Sequence, residues 1–424
     1  MALIRALNSG VSGLRSFQTK MDVIGNNIAN VETTGFKSSR VTFAELMSQR
    51  LGRADAGGES SPQMSNQVGL GVRIGSIDRD FTQGVMQNTG RGTDLAIEGR
   101  GYFLVADQGE TYMTRAGNFV FNKDGFLVDQ GGRHVQGYNA NNDGTITPGG
   151  STSKISIDFE QALSPKATEE ITLTGNLSGD EPVRMSTTVY DGLGSAYSLL
   201  LTFTRKQDVD GNIIDNEWDV AVSSPDDADA IFVDAAGNPV TDAEVTFTES
   251  GELDVSSIPA IEVSPGGGAS DFEINVELND RSKGAVLTQF SGTNTAKVLS
   301  QDGYAQGQLL DVAIDGDGRI SGIYDNGKNA TLAQIAMAQV QNDHGLEMVG
   351  SGLFRATSAA GEVFINSADA MSDTTINAGS LEGSNVDLAK EFTEMITSQR
   401  AYQSNARVIS TADEMLMEAV NLKR

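Results

Sequence analysis

"VIGNNIANVETTGFK" runs from Val23 to Lys37, begins as a helix and stops being one within a few residues. Working outward toward the N-terminus, Leu3, Leu7, Gly10, Leu14, Phe17, Met21, Ile24, Ile28 and Val31 recur at alternating steps of four and three. This 3.5-residue repeat, with one gap at Gly10, predicts a helix carrying a coiled-coil seam. The helix is expected to end near Asn30, which tolerates a left-handed cap, and Gly35 bars its return. Asn26, Asn27 and Asn30 lie off the seam.

The other end of the chain repeats the pattern. Leu388, Phe392, Met395, Gln399, Tyr402, Ala406, Ile409, Asp413, Leu416 and Val420 fall on the same spacing. Ser384 or Asn385 can cap the start of this helix, with Asp387 near the positive end of its dipole. At 1.5 Å per residue the two helices span about 40 and about 50 Å, so they can pair antiparallel. One reading is an intramolecular helical hairpin that closes the fold. The other is an unfinished pair. Val11, Val386, Ile396, Val408 and Met415 are apolar and off the seams, and two helices alone make a marginal core. Such faces call for further copies of the same helices, which makes the termini an assembly element.

Between the helices the texture is that of strands. The chain has 424 residues, 48 glycines and only 8 prolines. That length suits two or three domains, and the composition suits many short strands joined by turns. Lys123-Asp124-Gly125 between Phe119/Phe121 and Phe126/Val128 reads as a hairpin. Residues 32–67 are expected to be a linker, and residues 68–148 and 298–385 a β domain. Residues 149–297 form an inserted acidic β domain, with 26 acidic residues against 8 basic. The predicted fold class is therefore mixed: a terminal α-helical coiled-coil pair plus nested, mainly antiparallel β domains.

Charge and composition exclude several functions. The net charge of −27 repels nucleic acid and anionic membrane surfaces. The absence of cysteine rules out disulfides, thiolate metal sites and thiol catalysis. It also suits a chain exported unfolded through a narrow channel. No stretch has the length of a membrane-spanning helix, and the N-terminus makes a poor cleavable secretory signal. Asn139 to Gly150 resembles a calcium loop but ends in Gly150 where a bidentate Glu is needed. Asp208, Asp210 and Asn212 resemble another, with the glycine too early. Hairpin turns explain both. The glycine cluster Gly69 to Gly75 precedes a strand, unlike a phosphate loop. His134 and His344 have no catalytic neighbour in sequence. No catalytic, cofactor or metal site is expected, and nothing points to an enzyme.

Several stretches resemble one family. They are "NNIANVETTGFK" (Asn26–Lys37), "FTQG" (Phe81–Gly84), "TDLAIEGRGYFLV" (Thr93–Val105), "TRAGNF" (Thr114–Phe119), "LAQIAMAQV" (Leu332–Val340) and the long run Ser384–Leu416. Together they are similar to the bacterial flagellar axial proteins, the rod and hook subunits. The resemblance covers residues 1–148 and 300–424 and is strongest to hook subunits. The acidic insertion carries no such motif, and the 40–67 stretch is longer than in compact hook proteins, a feature shared with rod subunits.

The resemblance implies a homo-polymer. The terminal helices, 1–31 and 386–424, would form an inner tube through Leu3, Leu7, Leu14, Phe17, Met21, Ile24, Ile28, Val31, Leu388, Phe392, Met395, Tyr402, Ile409, Leu416 and Val420. Asn26 and Asn27 would face neighbouring subunits or backbone. The β domain and the insertion would form the middle and outer shells. The tube would be curved and hollow and act as a universal joint. Implied partners are the distal rod, hook cap and hook–filament junction proteins and the flagellar export apparatus, with no nucleic acid and no membrane insertion. The implied location is extracellular, reached without a cleaved signal peptide. Two other readings stay open: a distal rod subunit of the basal body, and a secreted β-domain protein that binds calcium or glycan.

Overall fold

The computed structural model describes residues 2–50, 67–141, 144–208, 212–224, 230–233, 240, 243–256, 258–265, 269–371 and 373–421. The centre of the predicted linker (51–66), Asp143 and Asp210 of the calcium-like loops, and the side chain of Leu3 lie outside what is described.

The chain has two long helices, one at each end, and mostly antiparallel strands between them. Helix α1 is Ala2–Ala29 and helix α2 is Leu388–Asn421. The end of α1 differs from the expectation. Asn30 is not left-handed; its side-chain amide instead donates to the Asn26 carbonyl at 2.9 Å, and its oxygen accepts from the Thr33 hydroxyl at 3.1 Å. The left-handed residue is Gly35, with φ of +67°. A Cβ there would sit 2.7 Å from the Ala116 nitrogen, so only glycine permits both the turn and the approach. The start of α2 also differs: Asp387 is the cap, its carboxylate accepting from the amides of Ala389 (2.9 Å) and Lys390 (3.2 Å).

The chain divides into two compact units. The first comprises residues 1–158, 312–321 and 331–424. Part of the stretch expected as a linker is structured here: β1 (Ser39–Glu45) pairs antiparallel with β2 (Val72–Arg79), Val41 opposite Ile77 and Phe43 opposite Ile74. Val41, Phe43 and the threonine between them supply the β-branched and aromatic character that a two-stranded ribbon needs. The ribbon rests against α1, where Phe17 meets Phe43 edge-on at 5.5 Å. The main sheet centres on strand Tyr102–Asp107, paired with Glu110–Thr114, His134–Asn139 and Met337–Val340. Its core holds Leu95, Ile97, Phe103, Phe119 and Leu127. The Lys123-Asp124-Gly125 hairpin is present, with Leu127 opposite Phe121 and Gly125 at φ of +76°. Thr374–Ala378 and Ser380–Glu382 pair with Leu95–Gly99 and Met86–Asn88, and lead the chain into α2.

The second unit comprises residues 159–311 and 322–330. One of its sheets has five antiparallel strands, Val183–Tyr190, Ala196–Gln207, Ile213–Ser223, Ala243–Phe247 and Leu253–Ser256. The other contains Glu170–Asn176, which runs parallel to Phe272–Glu277 and Leu287–Thr288, so the antiparallel rule has exceptions. Alternate residues such as Val183, Met185 and Val189, or Ala243, Val245 and Phe247, point into one core with Phe203 and Trp218. The Trp218 indole N–H donates to Gln289 at 3.1 Å, and the Arg205 guanidinium lies 5.0 Å from its ring centre.

Candidate assembly site

Helices α1 and α2 lie against each other and run antiparallel. Gly10 meets Ile409, Gly13 meets Asn405, Lys20 pairs with Glu394 at 3.2 Å, and Asn27 reaches Glu391 at 3.2 Å. A Cβ at Gly10 would come within 2.9 Å of Ile409, and one at Gly13 within 2.8 Å of the Asn405 amide. The glycines are thus close-approach positions, not gaps in an apolar seam.

The line where the helices meet is more polar than the periodicity suggested. On α1 the buried positions are Gly10, Gly13, Ser16, Ile24 and Asn27; on α2 they include Ser398 and Ala412. The Ser398 hydroxyl is buried without a hydrogen-bond partner. The large apolar residues of the predicted seam sit beside this line. Leu7, Leu14, Phe17, Met21, Ile28, Val31, Met395, Tyr402, Ile409 and Leu416 are half-buried, and only Ile24 is closed off, at 3% exposure. Leu388, Phe392 and Val420, expected on the α2 seam, are exposed, Phe392 at 50% and Val420 at 66%. The reason is geometric. A 3.5-residue stripe is wide enough to offer two faces, and small and polar residues one position away permit the closer helix contact. Ile396, Val408 and Met415, which the sequence places off the seam, are exposed as well. Within the subunit, α2 therefore keeps apolar side chains on either side of the line it buries.

The two asparagines after Gly25 have different fates. Asn26 is exposed. Asn27 is buried, at 1% exposure. It faces its own subunit: its amide donates to the Ser39 carbonyl at 2.8 Å, and its oxygen accepts from the Ser39 N–H at 3.0 Å. It thus pins the start of β1 to the end of α1. The carboxyl of Glu391, which also accepts from Asn27, is pushed up by burial against that hydrogen bond.

Where the helices join the β strands there is a buried charged cluster. Glu382 is fully buried and receives two cations, Lys37 Nζ at 2.6 Å and Arg115 Nη1 at 3.3 Å. Its Oε1 also accepts from the Gly84 N–H at 2.9 Å. Lys37 donates to the Thr82 carbonyl at 2.8 Å, and Arg115 to the Gly99 carbonyl at 2.8 Å. The Arg115 guanidinium lies 5.3 Å from the centre of the Tyr102 ring, whose hydroxyl donates to Asp343 at 3.0 Å. Burial raises the Tyr102 phenol, and Asp343 adds to this. Burial lowers the Lys37 ammonium, opposed by the Glu382 charge. Asn385 completes the junction, accepting from the Ser38 N–H at 2.8 Å and donating to the Asp80 carbonyl at 2.8 Å.

These residues come from "TTGFK", "FTQG", "GRGYF", "TRAGNF" and the stretch entering α2, five of the places where the sequence is most distinctive. Single residues such as Lys37 and Glu382 gave no signal of their own, because their partners lie hundreds of positions away. The two histidines make ring contacts, His134 with Phe126 and His344 with Phe81. Among the described residues no group of three or more acidic or histidine side chains is placed to hold a metal ion, and no helix is long and apolar enough to cross a membrane.

Comparison with known proteins places this geometry in a family. The flagellar hook protein FlgE of Treponema pallidum is 35% identical over an alignment of 463 positions that covers 100% of both chains. That of Borreliella burgdorferi is 33% identical over 99% of this chain and 100% of its own. The chain belongs to the flagellar hook protein FlgE family. Family models match in four places. "Flagella basal body rod protein" covers residues 7–37, and "Flagellar basal body rod FlgEFG protein C-terminal" covers 377–422. "Flagellar hook protein FlgE/F/G D1 domain" covers 96–175, and "Flagellar basal body protein FlaE D2 domain" covers 182–304. The first covers most of α1 and reaches Lys37, the second covers α2 with Glu382 and Asn385, and the third contains Arg115. The crystal structure of Helicobacter pylori flagellar hook protein FlgE2 aligns with a TM-score of 0.48 at 14% identity, over 70% of this chain and 100% of that one. That likeness is too loose to carry residue correspondences.

Proposed function

We propose that this chain is a structural subunit of the bacterial flagellar hook, which polymerises through α1 and α2 into a curved, hollow helical tube and transmits motor torque as a universal joint. The observation that carries the reading is the exposed apolar surface of α2, where Phe392, Ile396 and Met415 are each half exposed or more in a helix already paired through a largely polar line. A subunit that puts its small and polar residues toward its own partner helix and its large apolar ones outward is built to be covered by copies of itself. Full-length kinship to hook proteins supports the same reading.

In the polymer, α1 and α2 of neighbouring copies form a coiled-coil-like wall in which Leu7, Leu14, Met21, Ile28, Leu388, Phe392, Met395, Leu416 and Val420 are covered. Such contacts are head-to-tail and grow as an open helix. The acidic second unit contributes like charge, which keeps neighbouring copies from locking together as the tube bends. The distal rod, hook cap and hook–filament junction proteins and the flagellar export apparatus are the partners this role entails. The location is the extracellular hook.

The test is electron microscopy of the concentrated chain beside a version lacking residues 1–31 and 386–424. Curved tubes from the full chain alone are the expected result. Straight tubes would favour a rod subunit. Monodisperse particles from both chains, under conditions that favour polymerisation, would overturn assembly and favour a secreted binding module.

A further inference from the structure

We propose that Lys37 and Asn385 are positioning residues of a buried lock that fixes the directions in which α1 and α2 leave the β strands of the first unit. The connectors are short. Nine residues, 30–38, carry the chain from α1 past the cluster to β1, and five, 383–387, carry it from strand Ser380–Glu382 into α2. Each contains glycine, and each would swivel if it were tied only at its ends. Instead the two connectors are tied to each other and to the sheet. Gly35 N–H donates to the Glu382 carbonyl at 2.8 Å, so the exit of α1 is held by the residue that precedes the α2 connector. Lys37 bridges the Glu382 carboxylate and the Thr82 carbonyl. Asn385 bridges Ser38 on one connector to Asp80 on the strand side.

The charge of the cluster argues for geometry over stability. It holds two cations and one carboxylate. The surplus positive charge is met by the carbonyls of Thr82, Ile97 and Gly99 and by the face of Tyr102. Arg115 Nε has no partner. Arg115 and the Gly84 N–H would still satisfy Glu382 if Lys37 were absent, and burial of the ammonium works against its charge. An apolar side chain of the same length would avoid that desolvation. What an apolar chain cannot do is hold two separate segments by directed bonds.

The lock is a property of the single subunit. Its use in carrying torque rests on the hook reading, so the test is made on the dilute, unpolymerised full chain. The chain has no cysteine. Spin labels can therefore be placed at Gln403→Cys on α2 and Thr111→Cys on the sheet, both exposed positions. In Lys37→Met and in Asn385→Ala, the label-to-label distance distribution is expected to broaden. Amide exchange at Gly35 and Ser38 should rise by about tenfold or more, as for a local opening. Exchange at the buried Phe103 and emission from Trp218 should stay unchanged. Unaltered distances and exchange in both variants would overturn the lock. So would loss of protection at Phe103 in both, which would make the cluster a general element of the core. Because imaging of tubes tests assembly independently, failure of the lock and failure of the hook reading are separate results.

Discussion

The terminal helices and the second unit use apolar residues in opposite ways. The second unit turns them inward: Trp218, Phe203, Leu173 and Ile171 are sealed in one core. The helices meet along Gly13, Asn27, Ser398 and Asn405, while Phe392, Ile396 and Met415 face outward. A closed core stabilises a domain by itself. A polar helix contact sets register and alignment at a cost in stability, and leaves large apolar side chains exposed. On the proposed hook reading, the difference separates a part with its own closed core from a part whose apolar faces are covered by other copies.

The sharpest way to break this comparison is a charge at Ile24, the one large apolar side chain sealed among the described residues of the helix pair. Ile24→Asp is expected to abolish tube formation and to weaken the α1 contacts by about 3–5 kcal/mol, as for an unpaired buried charge. Trp218 emission and the urea midpoint of the second unit should not move. An Ile24→Asp chain that still polymerises would count against assembly through the helices.

The reciprocal change is Trp218→Ala. Truncating a fully buried indole should cost the second unit about 3–5 kcal/mol, read by urea unfolding followed by circular dichroism. Tubes should still form, since the helices do not draw on that core. Loss of tubes at a temperature where the helices remain folded would show that the two regions are not independent.

Phe392→Asp sharpens the contrast within α2 itself. Because Phe392 is half exposed, the monomer's melting should shift by no more than about 0.5 kcal/mol. Polymerisation, followed by sedimentation, should nonetheless be lost. A variant that polymerises normally would remove this face from the assembly surface.

The smallest effect expected is one of pH. The Glu391 carboxyl is raised by burial, so in the window just above the ordinary glutamate range the folded helix pair binds a proton that the unfolded chain does not. Stability of the pair should therefore fall as pH rises through the folded-state value and recover on acidification. Glu391→Gln should flatten that dependence in melting curves taken across the window. An unchanged slope would mean that Glu391 is solvated in the working pair.

Much of this was legible in residue order. Leu7 to Ile28 and Met395 to Leu416 announced two helices, and Lys123-Asp124-Gly125 between Phe121 and Phe126 announced a hairpin. The helix end near Asn30 was readable, and so was Gly35 as the residue that bars the helix's return, because glycine adopts its left-handed backbone conformation without strain. Other features were hidden. Nothing local marks Asn27 as the clamp on Ser39, or Asp387 and not Ser384 as the helix cap, since each depends on which way the chain turns next. The ribbon formed by β1 and β2 escaped notice because its partners are separated by the 46–71 stretch, whose polar composition reads as loop.

The sequence by itself determined the helices, the strand-rich middle, the acidic composition of residues 149–297 and the kinship, because periodicity, charge and motifs are properties of neighbouring residues. Only the tertiary structure decided which stripe of each helix faces the other. It also decided that Lys37, Arg115 and Glu382 meet in one buried cluster. Both depend on backbones approaching from positions hundreds of residues apart, 345 for Lys37 and Glu382 and 364 for Asn27 and Glu391. No local pattern encodes that separation.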